Sequence, residues 1–172
     1  MSNQSPHNLT LAQKANCFDT WQHIFLIQKL LAKMQIELMN RQFTHDQSKM
    51  RSPEVEDFTE YGNNMRTLTY GSPEYFANLG KMRDTVAHHY AHNRHHPEFF
   101  ADGVNGMNLI DLIELICDWY ASSLLHDDGN IEKSIEISSK RFNISPEITK
   151  ILINTLPLIT DVFESLHTQA DI

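Results

Sequence analysis

The sequence predicts an all-α protein, a bundle of about six helices, and three observations carry that reading. Apolar residues recur at spacings of three and four over long stretches. No segment alternates apolar and polar residues as a half-buried strand does. The six glycines and six prolines fall mostly at breaks between the periodic stretches. With 172 residues, 41% of them hydrophobic, the chain is long enough for one compact domain with a real core.

The first periodic stretch runs from about Leu9 to Arg41, with Trp21, Ile24, Phe25, Ile27, Leu30, Leu31 and Met34 on a broad apolar side. Three later helix starts repeat one device: Ser52-Pro53-Glu54, Ser72-Pro73-Glu74 and Ser145-Pro146-Glu147. In each, the serine can cap, the proline suits the first helical position, and the glutamate meets the positive end of the helix dipole. These starts predict helices near 53–65, 73–95 and 146–167, the last with a bend at Pro157. Asp102 to Gly106 reads as a loop, after which Asn108 can cap a strongly apolar helix from Leu109 to about Leu125. Asp127-Asp128-Gly129-Asn130 is the next turn, and a shorter helix fits Ile131 to Arg141. Residues 1–8 precede the first periodic stretch and are expected to be loose, with the helical domain spanning 9–168.

Composition narrows the function classes. Fourteen basic against twenty-two acidic residues give a formal charge of −8, which disfavours bulk nucleic-acid binding. Apolar runs such as Leu112 to Ile116 fall far short of the roughly 20 residues that cross a bilayer. The start, Met1 to His7, shows no basic segment followed by an apolar run, so the cytoplasm is the expected location. Cys17 and Cys117 sit in apolar helical patterns and read as reduced core residues. The apolar sides of the first and last helices can pack within one subunit or across a homodimer.

Ten histidines are many for this length, and five of them lie between His88 and His96. On a helix, His89, His92 and His96 share one stripe, while His88, His92 and His95 share the next. Pro97 disfavours helical geometry at His96, which turns that side chain away from the helix axis. Upstream, His45-Asp46 offers a neutral nitrogen and an anionic oxygen to a divalent ion. Downstream, Asp111, Glu114 and Asp118 form a carboxylate stripe on an otherwise apolar helix, and buried carboxylates need partners. Capping by Asn108 accounts for Asp111. Glu114 reads as support for a ligand, and Asp118 as a ligand. His23 shares a helix face with Ile27, Leu30 and Met34 and is expected to look inward.

In chain order the set is His23, His45-Asp46-x-Ser48-Lys49, the His88–His92 group, His95-His96-Pro97-Glu98 with Asp102-Gly103, and Asp118. This resembles the HD superfamily of metal-dependent phosphohydrolases over roughly residues 20 to 125. It is most similar to a small bacterial and phage family in or near that superfamily, with three motifs. They are His-Asp-x-Ser-Lys, then His-x-x-Asn-x-His-His-Pro-Glu, present here in outline as His89 to Glu98, then Asp-Leu-Ile-Glu-x-x-Cys-Asp-Trp, here Asp111 to Trp119. The Gly-Tyr-Pro that follows Asp-Gly in the cyclic-dinucleotide branch is replaced by Val104-Asn105-Gly106, which counts against cyclic dinucleotides.

The resemblance implies an HD-like helical bundle in which His23, His45, Asp46 and Asp118 bind a first divalent ion. Asp46 would bridge to a second ion held by His89, His95 and His96, with His88 and His92 as further candidates. It implies hydrolysis of a small phosphorylated molecule, such as a nucleotide, by water activated on one or two transition-metal ions. Manganese, iron, cobalt, nickel and zinc all suit the ligand set. Asp46, Lys49 and Glu114 would then be catalytic, with Lys49 and Arg94 contacting the phosphate. Two other chemistries fit the same scaffold: a di-iron site that oxidises a carbon centre with dioxygen, and a non-catalytic regulatory or accessory protein whose ion staples helices together.

Overall fold

Side-chain caps open the helices much as local chemistry dictates. The structure is a computed structural model and describes residues 9–65, 67–126 and 128–160, with backbone alone at 63 and 64. Among these residues there is no strand, and the helices are α1 (Leu11–Thr44), α2 (Glu54–Met65), α3 (Pro73–Lys81), α4 (Arg83–His92), α5 (Leu109–Leu125), α6 (Ile131–Arg141) and α7 (Pro146–Thr155). The all-α class therefore holds. Residues 1–8, expected to be loose, and 161–167, expected to extend the last helix, lie outside the described residues.

Ser72 and Ser145 cap α3 and α7, accepting from the amides of Tyr75 at 3.1 Å and Ile148 at 3.3 Å. Asn108 and Asp111 form a reciprocal capping box at the start of α5. The third serine behaves differently. The Ser52–Pro53 peptide is cis, α2 begins at Glu54, and the amides of Glu54 and Val55 both donate to the Arg51 carbonyl, each across 3.0 Å.

The single helix expected over 73–95 is two. It breaks at Met82, whose backbone (φ −102°, ψ 25°) leaves helical geometry and whose side chain is buried. The second piece ends at His92 because the Asn93 carboxamide donates to the His89 carbonyl at 2.8 Å and the backbone turns extended. At the far end, α7 stops at Thr155, two residues before Pro157, with further helical residues over 157–160.

Contacts divide the chain into two compact units, the first ending at Phe43 and the second beginning at Thr44. The first is essentially α1. None of its residues is buried. The inward face expected for His23, Ile27, Leu30 and Met34 is thus not found: all four are exposed.

In the second unit, Leu115 and Ile116 of α5 pack with Ile135 of α6, Ile144, and Leu152 and Leu156 at the end of the chain's described part. Trp119, Ile131, Phe142 and Ile148 pack against this core, and α2, α3 and α4 form a neighbouring group of contacts. Burying such side chains contributes about 1.5–3 kcal/mol each. Both cysteines are free, as expected, but exposed rather than in the core. On α5 the buried positions are Ile110, Asp111, Leu115 and Ile116, and Cys117 lies beyond their face. No helix among the described residues is long and apolar enough to cross a membrane.

Candidate metal centre

Four segments of the second unit converge: the turn at His45–Lys49, the first residue of α2, the end of α4 with the loop that follows, and the middle of α5. Asp46 adopts a left-handed backbone (φ 56°, ψ 15°), a conformation that aspartate tolerates better than most residues, and precedes a short 3₁₀ turn, Gln47–Met50. His96 is extended (φ −94°, ψ 129°) before Pro97, so it leaves the helix axis as the proline requires.

Two carboxylates orient the imidazoles. Glu114 Oε1 lies 3.0 Å from His45 Nδ1 and 3.3 Å from His95 Nδ1. Glu54, fully buried, places its oxygens 2.7 Å from His88 Nδ1 and 2.8 Å from His89 Nδ1. Ser48 donates to the same Glu54 oxygen that faces His89, at 2.9 Å, and itself accepts from Asn93 at 2.8 Å. A neutral imidazole that donates through Nδ1 presents a lone pair at Nε2. At His45, His89 and His95 these contacts leave Nε2 to face the Asp46 side of the site, the arrangement that metal-ligating histidines use.

Asp46 Oδ1 occupies that place. It lies 3.2 Å from His89 Nε2 and 3.5 Å from His95 Nε2, and His89 Nε2 is 2.9 Å from His96 Nε2. Asp46 Oδ1 and His95 Nε2 are buried without a hydrogen-bond partner. Two buried polar atoms that face each other without a hydrogen bond, one of them on a residue as buried as His95 at 2% exposure, are a place that a cation can stabilise. Ligand atoms of Asp46, His89, His95 and His96 lie within 4.8 Å of one another and could hold a metal ion. A second group, His45, Asp46, His95 and Asp118, overlaps it and meets the same limit. In that group His45 Nε2 is 3.6 Å from both Asp46 Oδ2 and Asp118 Oδ1.

The electrostatics follow from these contacts. Contacts with Asp118, then Glu114, push His45 up to about 10 against the opposing effect of burial. Burial, with His95 and His89 beside it, pushes His96 down to about 2, keeping it neutral as a ligand must be. Burial alone would raise the Asp46 carboxyl, but its contacts with His89 and Lys49 outweigh this and hold it well below the usual carboxylate range. Glu54 is likewise lowered, because its bonds to His88, His89 and Ser48 outweigh its burial.

The other sequence candidates separate clearly. Lys49 Nζ donates to Asp46 Oδ2 at 2.7 Å. His88 meets Glu54 but belongs to neither group of candidate ligands. His92 is exposed, stacks on His88 and points Nδ1 at the His88 carbonyl, 2.7 Å away. His23 lies on α1 in the other unit, and both ligand groups are composed of second-unit residues. Arg94 turns its guanidinium toward α5. Its guanidinium forms a fork with the fully buried Asp111, at 3.1 and 3.0 Å, which cancels a charge that the capping box alone leaves only partly satisfied. Glu54 is the residue that sequence reasoning missed. Its local signal, an acid after Ser-Pro, is identical to that of Glu74 and Glu147, both exposed.

Beside the cluster lies a cavity of about 380 Å³ within the second unit. Lys49, His89, His96 and Asp118 form its wall on the cluster side, and Tyr75 and Trp119 are among its aromatic walls. Arg141 also lines it and pairs with Glu98 at 2.8 Å.

Fold and site together define an all-helical protein with a histidine–carboxylate cluster, able to hold a metal ion, opening on a small-molecule-sized cavity. The chain belongs to the family of unknown function DUF5662, whose model matches residues 12–158. No curated protein and no solved structure matches it.

Proposed function

We propose that the chain is a metal-dependent phosphohydrolase of the HD type, acting on a small phosphorylated molecule such as a nucleotide. The observation that carries this reading is the pair of buried, unpartnered atoms, Asp46 Oδ1 and His95 Nε2, at a cluster whose neighbours His89 and His96 line a cavity. His89, His95, His96 and Asp46, with His45 and Asp118 alongside, would hold one or two divalent transition-metal ions. When bound, such an ion supplies a water of lowered pKa and positive charge beside phosphoryl oxygens.

The protein's own groups supply the rest. Lys49, on the cavity wall next to Asp46, is placed to meet a phosphate oxygen, and with Arg94 committed to Asp111 it is the basic group of the cluster side. Glu114 and Glu54 keep the ligand imidazoles in one tautomer and one orientation. The aromatic walls exclude water from the body of the substrate, and the cavity volume falls in the range of about 300–1,000 Å³ common for small-molecule sites.

The test is metal content of chain purified without chelator or histidine tag, followed by phosphate release from a panel of phosphomonoesters, phosphodiesters and nucleotides, for the native chain and Asp46→Ala. Metal-dependent release lost in the variant supports the reading. Iron with oxygen-dependent turnover would move the assignment to an oxygenase, and bound metal with no turnover of any kind would leave a structural ion.

A further inference from the structure

We propose that the centre holds one divalent ion per chain, in the histidine-rich group, and that the Lys49 ammonium takes the place of a second cation beside Asp46. The inference rests on the metal-centre reading above and deepens it.

The two candidate groups share His95 and Asp46, and the two residues differ in what they can share. His95 Nδ1 is committed to Glu114 at 3.3 Å, which leaves Nε2 alone, and one ring nitrogen serves one ion at a time. Filling either group therefore takes His95 from the other. The histidine-rich group keeps Asp46 Oδ1 and three Nε2 atoms. Deprived of His95, the other group is left with His45, Asp118 and whatever Asp46 can spare.

Asp46 has little to spare. Its Oδ1 faces His89 and His95, while its Oδ2, the oxygen that a bridging carboxylate would turn to a second ion, is already 2.7 Å from Lys49 Nζ. Two features hold that arrangement. The left-handed backbone at Asp46 sets the carboxylate, and Lys49 sits three residues on, in the same 3₁₀ turn, with its ammonium 5.2 Å from the centre of the Phe58 ring. An ion on Oδ2 would have to lie against that fixed positive charge. Because Lys49 also lines the cavity, the same ammonium faces an entering oxyanion. It would thus act on the substrate as a second ion does elsewhere, without being exchangeable.

The experiment loads the full, untagged chain with excess manganese(II), removes unbound ion, and reads manganese per chain by elemental analysis alongside the electron paramagnetic resonance spectrum. Native chain and Lys49→Arg are expected to hold about one ion, with an uncoupled spectrum. Lys49→Met and Lys49→Gln are expected to rise to about two, with the coupled signal of a close pair. Two ions in the native chain overturn the proposal while leaving the metal centre standing, and so does one ion in both neutral variants. No ion in the native chain overturns the metal-centre reading and this proposal with it. Should Lys49→Met not fold, Lys49→Gln and the native stoichiometry decide the question.

Discussion

The Glu114 carboxylate meets the His45 imidazole across 3.0 Å, joining residues 69 positions apart in the chain. The same oxygen reaches His95, so one side chain orients imidazoles from two separate segments. Replacing it with glutamine leaves the shape but substitutes an amide, which cannot polarise two ring N–H groups as a carboxylate does. Glu114→Gln is expected to weaken metal binding about 10- to 100-fold with the fold intact, read by calorimetric titration of metal-free chain and by circular dichroism.

Among the clustered histidines, position relative to the end of α4 separates the candidate ligands from the others. His92 is exposed and faces backbone, whereas His89 is 3% exposed and faces Asp46. His92→Ala is expected to retain the native metal stoichiometry and His89→Ala to lose most of it. Equal loss in both would mean that the ion is held along the exposed stripe instead.

Arg94 and Asp111 give a prediction about stability instead of chemistry. Removing the guanidinium takes both arms of the Arg94 fork from a fully buried carboxylate. Arg94→Ala is expected to cost about 2–3 kcal/mol in denaturant unfolding while metal content stays unchanged. A fall in phosphate affinity at native stability would return Arg94 to the role that its sequence neighbourhood suggested.

Burial raises the Tyr75 phenol above its ordinary value, so it stays neutral in the cavity wall at a pH where an unfolded phenol ionises. A group raised on folding contributes stability that is complete below its unfolded value, about 10, and is lost as pH climbs toward the folded one. Burial raises Tyr90 as well, so absorbance titration of the five tyrosines is expected to show late ionisation that shrinks by one phenol in Tyr75→Phe, together with part of the alkaline loss of stability. An unchanged late amplitude would mean that Tyr75 ionises with the ordinary phenols.

What could be read along the chain was what short-range chemistry decides. The caps at Ser72, Ser145 and Asn108, the exit of His96 before Pro97, and the helical spacing that presents His89 all follow from neighbours within a turn or two. The features that stayed hidden depend on contacts distant in sequence. Glu54 has the same local setting as Glu74 and Glu147, and only the approach of α4 makes it a buried clamp. Arg94 looked available because Asp111, seventeen residues on, had a sufficient local explanation in its cap. The break at Met82 likewise carries no proline or cap of its own; burial of the methionine accompanies it.

The order of the ligands along the chain bears on how the centre comes into being during synthesis. Asp46 leads, and His89, His95 and His96 follow within one short segment, so a single closure between that segment and Asp46 assembles the group. Once residue 96 has left the ribosome, every atom of the histidine-rich group exists, while Glu114 and the last three helices do not. On the proposed metal-centre reading, an ion could therefore bind the nascent chain early and loosely, and the arrival of α5, bringing the Glu114 carboxylate to His95, would tighten the grip afterward.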